Sequence, residues 1–204
     1  MGFEGQRRKL AGNKAVPSLY LKDKAIENMD IKIFANNINH LTDARYFAAW
    51  GATWMCYNIS SLTIAEIAAI REWVEGPKHI INIIGIEPSE SAAMLTNEAI
   101  DGYLTDSASD HDRVQSLLPR DVEAFIINGS ADTASTIHQT SPSAEGNFQG
   151  KLCDVDGTPS EVVAFIERHN PSAIVLAGSE EEEVGVKSFD ELDEILELLE
   201  EKEL

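Results

Sequence analysis

Residues 31–59, IKIFANNINHLTDARYFAAWGATWMCYNI, read as strand, helix, strand. Ile31, Ile33, Phe34 and Ala35 make a short apolar run, and the polar stretch 36–39 breaks it. Ala44, Phe47, Ala48 and Gly51 then recur at helical spacing on one side. Gly51 closes the helix, because glycine enters the left-handed region at no steric cost. Residues 53–59 are β-branched and aromatic, which suits a pleated strand. A strand, a crossover helix and a second strand form a right-handed parallel unit.

The same alternation runs through the chain. A Ser/Thr-capped amphipathic helix over 64–74 stops at Gly76-Pro77. KHIINIIGI, 78–86, is the continuous apolar run of a strand buried on both faces. Helices are expected over 87–99, 107–118 and 131–139, and strands over 100–105, 122–127 and 151–155. Thr158, Pro159 and Glu161 give a helix start signal, and that helix runs to about His169. AIVLA, 173–177, is a further strand, 178–187 a loop, and Ser188 caps a last helix with Phe189, Leu192, Ile195, Leu196 and Leu199 on its apolar face. The sum is seven strands and about seven helices. No Gly-rich phosphate turn follows the first strand, so a TIM-type (β/α) barrel is preferred to an open doubly wound sheet. An eighth strand, if present, belongs between Gly129 and Gly150.

At 204 residues one domain is expected, 31–204, preceded by a polar, Gly-rich N-terminal extension, 1–30. Lys and Arg number 16 and Asp and Glu 35, giving a net charge of −19. Nucleic acid and anionic membrane would be repelled. No apolar run reaches the roughly 18 residues of a span. Gln6 stands where an N-myristoylation motif needs Ser or Thr, and Arg7-Arg8 precedes no apolar segment. A cytoplasmic location is the expectation. Cys56 and Cys153, the two cysteines, both fall in strands and read as reduced core thiols. His40, His79, His111, His138 and His169 show no metal spacing, so neither metal nor cofactor is expected.

KIF at 32–34 followed by LTDARYFAAWGATW, and CDVDGTPSEVVAFIERHNPSAIVLAG near the C-terminus, resemble phosphoribosylanthranilate isomerase, a small barrel of the tryptophan pathway. That family carries KICGIT on its first strand and a Gly-Gly-Leu-Asn-Pro turn before a late helix. The resemblance spans about 31–200 and leaves the first 30 residues without a counterpart. It implies an Amadori rearrangement needing a base, a cysteine on the first strand, and an acid, an aspartate on the sixth. The cysteine position falls on Phe34, which moves no proton. The family's basic loop Pro-Lys-Ser-x-Arg has become Ser60-Ser61-Leu62-Thr63, and its Gln-Leu-His-Gly has become Leu104-Thr105-Asp106-Ser107. Asp154 would be the acid if residues 152–154 were the sixth strand, although the downstream match fits the seventh better.

The resemblance places phosphate on the amides of Gly157, Thr158, Gly178 and Ser179. Glu180, Glu181, Glu182 and Glu183 follow directly, and carboxylates beside a phosphate each oppose it by about 1 kcal/mol at 4 Å in water. Two roles therefore compete. In the first, the chain is a degenerate isomerase-like barrel that binds or scaffolds. In the second, it is an active isomerase with Cys56 as replacement base and Asp154 as replacement acid. Asp154 and Asp156 lie on one face of a strand end, as an acid/base pair, a cation site or the cap of the following turn. Asp43 and Arg45 are expected as a solvent or helix-helix pair. A protein partner would dock through the N-terminal extension or the acidic C-terminal helix, where Leu198 and Leu204 lie off the barrel-facing stripe. The small-molecule ligand, if any, is open.

Overall fold

The computed structural model describes residues 31–119, 121–178 and 188–203. The N-terminal extension, Ser179 and the Glu180–Glu183 run lie outside them. Within them the order is β1 (Lys32–Ile38), α1 (Leu41–Ala49), β2 (Trp54–Asn58), α2 (Ile64–Trp73), β3 (Lys78–Asn82), α3 (Pro88–Met94), β4 (Gly102–Thr105), α4 (Ala108–Leu117), β5 (Glu123–Ile127), β6 (Ser135–Thr140), β7 (Leu152–Val155), α5 (Pro159–His169), β8 (Ala173–Ala177) and α6 (Asp190–Glu203). The eight strands close into one parallel barrel in chain order, β8 pairing β1.

The eighth strand is β6, and it corrects the helix expected over 131–139. STIHQT turns only Ile137 toward the interior, while Thr136, His138 and Thr140 point outward and stay partly exposed. Strict alternation with one apolar residue per turn of the pattern is a strand signal, but the flanking alanines mask it. No helix follows β5 or β6: residues 128–134 and 141–151 connect as loops. Polar outward residues on β6 are why that face needs no helical cover. Six helices therefore replace the expected seven among the described residues.

β1 also runs past the expected break at Asn36. Its pairing with β2 slips between Ala35 and Ile38, where Asn37 has φ 54°. Asparagine tolerates that region, and the Asn37 N–H donates to Asn36 Oδ1 at 2.8 Å. At the end of α1, Gly51 (φ 72°) donates to the Ala48 carbonyl and Ala52 to the Phe47 carbonyl, each at 3.0 Å. This Schellman pair satisfies the last carbonyls and turns the chain into β2.

Alternation along the strands divides the core in two. Phe34, Cys56, Ile80, Leu104, Phe125, Ile137, Leu152, Ala173 and Val175 pack inside the barrel. Met55, Tyr57, Ile81, Tyr103 and Ile174 pack outside it, beneath the helices. α6 docks by Leu192, Ile195 and Leu196, with Tyr46 of α1 stacked on Phe189 at 4.0 Å and donating to Asp193 Oδ1 at 2.7 Å. Leu198, expected off this stripe, is partly buried against the same core. Leu204 lies outside the described residues.

Candidate functional site

In a parallel barrel the carboxyl ends of the strands form the mouth. Two residues along a strand share a face, so the positions two beyond the interior layer line this mouth. They are Asn36, Asn58, Asn82, Asp106, Ile127, Gln139, Asp154 and Ala177, each at least partly exposed. Four of the eight are neutral amides and two are carboxylates. The amide oxygens already close the loops above them. Asn58 Oδ1 accepts from the Ser60 N–H at 3.0 Å and its hydroxyl at 2.6 Å, and Asn82 Oδ1 accepts from the Ile84 N–H at 3.0 Å. These turns form because asparagine substitutes for a backbone carbonyl two residues back.

Asp154 stands on β7, not on the sixth strand. Gln139 occupies the equivalent mouth position of β6. Its Nε2 donates to Asp154 Oδ2 at 3.3 Å, and its Oε1 accepts from Asn128 Nδ2 at 3.1 Å. Asn128 (φ 50°) in turn accepts the Gln139 N–H at 2.9 Å. Burial raises the Asp154 carboxyl above its ordinary range; the Gln139 bond opposes this and Asp156 adds to it. Asp154 can therefore hold a proton more readily than a solvated carboxylate.

Phe34 has no exposed surface. Its ring meets Phe125 edge-on at 4.9 Å and Trp54 at 6.1 Å. Cys56 also has none, and burial pushes its thiol far above the ordinary range. It lies in the packed interior rather than at the mouth with Asp154, so the structure does not assemble the two as a base and acid. Cys153 faces outward under the helices, its thiol raised to about 11 by burial.

Two of the four phosphate amides, those of Thr158 and Gly178, are engaged. The Thr158 N–H and hydroxyl both donate to Glu161 Oε2, at 3.0 and 2.7 Å, which holds that carboxylate low. The α5 N-terminus thus carries its own anion. The Gly178 N–H donates to the Asn36 carbonyl at 2.9 Å. A Cβ on Gly178 would stand 3.5 Å from Asp43 Cγ. Asp43 is wholly buried, accepting the Asn39 N–H at 3.2 Å, which rules out the solvent half of the expected solvent or helix-helix pair. Arg45 instead lies 5.9 Å from the Trp73 ring centroid. Gly157 sits under Pro142 from the β6–β7 loop.

No described lysine or arginine occupies a mouth position. Lys32 and Lys78 begin β1 and β3, and Lys151 precedes β7, all at the opposite end. Among the described residues no group of three His, Cys, Asp or Glu could hold a metal ion. In the sequence Gln139 falls at the end of an expected helix, Asn82 inside a strand and Asn36 in the break after the first; knowing the interior residue of each strand, one adds two.

Solved structures with the same architecture include a monomeric variant of the dimeric phosphoribosylanthranilate isomerase from Thermotoga maritima, at TM-score 0.64 and 11% identity, covering 83% of this chain and 98% of that one. The Thermus thermophilus phosphoribosyl anthranilate isomerase gives 0.61 and 15%, over 84% and 99%. TrpF from Jonesia denitrificans gives 0.63 and 12%, over 83% and 97%. No family model matches the sequence, and no curated protein matches it. At these identities the likeness is one of fold.

Proposed function

We propose that this chain is a divergent phosphoribosylanthranilate isomerase-like barrel that has lost isomerase activity and serves as a binding or scaffold protein. One observation carries the reading: the mouth offers no proton-transfer pair at the family's positions. The first-strand base position is Phe34, sealed among aromatic rings, and the mouth residue of β6 is Gln139, whose amide does not titrate. General acid–base catalysis contributes about 10² to 10⁴ in rate, so losing both partners removes most of an isomerisation. The electrostatics agree. The described mouth has two carboxylates, Asp106 and Asp154, and no cation, and the α5 amide is taken by Glu161, where an anionic sugar phosphate needs the reverse.

A cytoplasmic location and a protein partner belong to the same proposal. The outward face of α6 presents Glu191, Glu194, Glu197 and Glu200 to solvent at helical spacing, which suits a basic segment. Residues 1–30 are the other candidate for docking. Among the described residues no helix is long and apolar enough to cross a membrane.

One observation favours the second reading, an active isomerase: Asp154 is at the mouth with a raised pKa, as a replacement acid would be. Growth without tryptophan separates the two. A bacterium lacking its own isomerase and expressing this chain is expected not to grow. Growth that Asp154→Asn abolishes would overturn the proposal.

A further inference from the structure

The barrel's other end carries a feature that the mouth chemistry does not use. Phe34, Trp54 and Phe125 form a three-ring cluster, with Trp54 and Phe125 edge-on at 5.5 Å. Its lower side opens into a cleft of about 310 Å³ at the N-terminal opening, bounded also by Leu152 and Ala173. The one carboxylate beside the cluster is already matched. Glu123 accepts from Trp54 Nε1 and from Lys78 Nζ, each at 2.8 Å. Two ammonium groups remain on the rim. Lys32 Nζ lies 5.7 Å from the Trp54 ring centroid and Lys151 Nζ 5.6 Å from that of Phe148. Neither forms an ion pair with a described residue. In a chain of net charge −19, the lining of this cleft carries two lysines and no carboxylate.

We propose that the N-terminal opening binds a small aromatic monoanion, a planar ring system bearing a carboxylate or sulfonate. The ring lies against Trp54, Leu152 and Ala173, and the anion lies between Lys32 and Lys151. Apolar walls with a few convergent charges are the usual make-up of a small-molecule site, and the volume admits two fused rings. Lysines resting on ring faces keep their ammonium groups at the rim, available to an anion. Lys151 already acts at this cleft: its charge, after burial, holds His138 below its ordinary range. The inference stands independently of whether the mouth turns over substrate.

Calorimetric titration of the full chain with 2-naphthoate tests it. One saturable site is expected. Lys32→Gln and Lys151→Gln should each weaken it about fivefold, the value of one opposite charge near 4 Å in water. The uncharged 2-naphthalenemethanol should bind more weakly than the acid. Arg113→Gln, on the far surface of α4, should change nothing. Both lysines are exposed, so their removal should leave thermal unfolding unaltered. No saturable binding at millimolar naphthoate would overturn the proposal. So would an affinity indifferent to the two lysines, or an alcohol that binds as tightly as the acid.

Discussion

Phe34 stands where the resemblance puts a cysteine, and its environment shows why a reversion there would not be silent. The ring has no exposed surface and two aromatic neighbours. Truncating a fully buried phenylalanine removes its transfer free energy and leaves a cavity. Phe34→Ala should therefore cost about 3–5 kcal/mol in a urea unfolding titration. A loss below about 1 kcal/mol, the scale of a surface change, would show that the ring is not part of the core. Asp154 makes the opposite prediction. Its folded carboxyl binds its proton more tightly than the unfolded one, so stability from this group is full below 3.8 and falls as pH rises through the folded value. Asp154→Asn removes that loss. The variant should melt higher than the parent at neutral pH, with the difference closing below 3.8. Equal melting temperatures at neutral pH would contradict the burial argument.

At the scale of elements, α5 has the clearest local code. Thr158, Pro159 and Glu161 announce the helix in sequence, and in the structure the Thr158 N–H and hydroxyl both donate to Glu161 Oε2. Thr158→Ala should cost about 1 kcal/mol, the usual worth of such a cap, read from the same titration. No change would mean that the cap is solvent-replaced. β6 shows where local code fails. STIHQT has a single inward apolar residue, and its neighbours' alanines favour a helix, so the strand is specified by barrel closure rather than by its own composition. Ile137 then carries the interior contact of that strand alone, and Ile137→Ala should cost about 2–5 kcal/mol. β1, β2, β3 and β8 were legible because both faces are buried and the sequence says so in continuous apolar runs. The mouth was less legible. Asn36, Asn58, Asn82 and Gln139 are ordinary loop-forming residues in sequence, and only strand register makes them a ring. Asp43 was misread for a related reason: residues two apart lie on different sides of a helix, and Asp43 turns inward under Asn39 and Gly178.

At the scale of the molecule, the two ends of the barrel differ in charge: the amino end is mixed and the described mouth is acidic. At the amino end, the lysines that start β1 and β3 and precede β7 share the rim with Asp101, Asp121 and Glu123, whereas the mouth and the caps around it carry Asp106, Asp154, Asp156 and Glu161 and no described cation. The outer shell also holds two buried histidines. His79 accepts or donates at Nδ1 to the Tyr57 hydroxyl, 2.9 Å away, and His111 bonds Tyr103 at 2.7 Å and Thr133 at 2.8 Å. Burial holds both below their ordinary value, with the Arg71 charge adding to the effect at His79. The unfolded chain then takes up protons that the folded one refuses once pH falls below 6.5. The urea midpoint should decline from about pH 7 toward about pH 5, and a flat profile over that interval would contradict the burial of these rings. The acidity of the mouth bears on function, because an anionic sugar phosphate arriving there meets carboxylates where it needs cations.

The most direct measurement is turnover of freshly prepared phosphoribosylanthranilate by the purified full chain, followed by loss of substrate fluorescence. With Phe34 and Gln139 at the proton-transfer positions, the rate should equal that of buffer alone at every substrate concentration. A saturable rate above that background would contradict the claim that the barrel has kept the fold and lost the reaction.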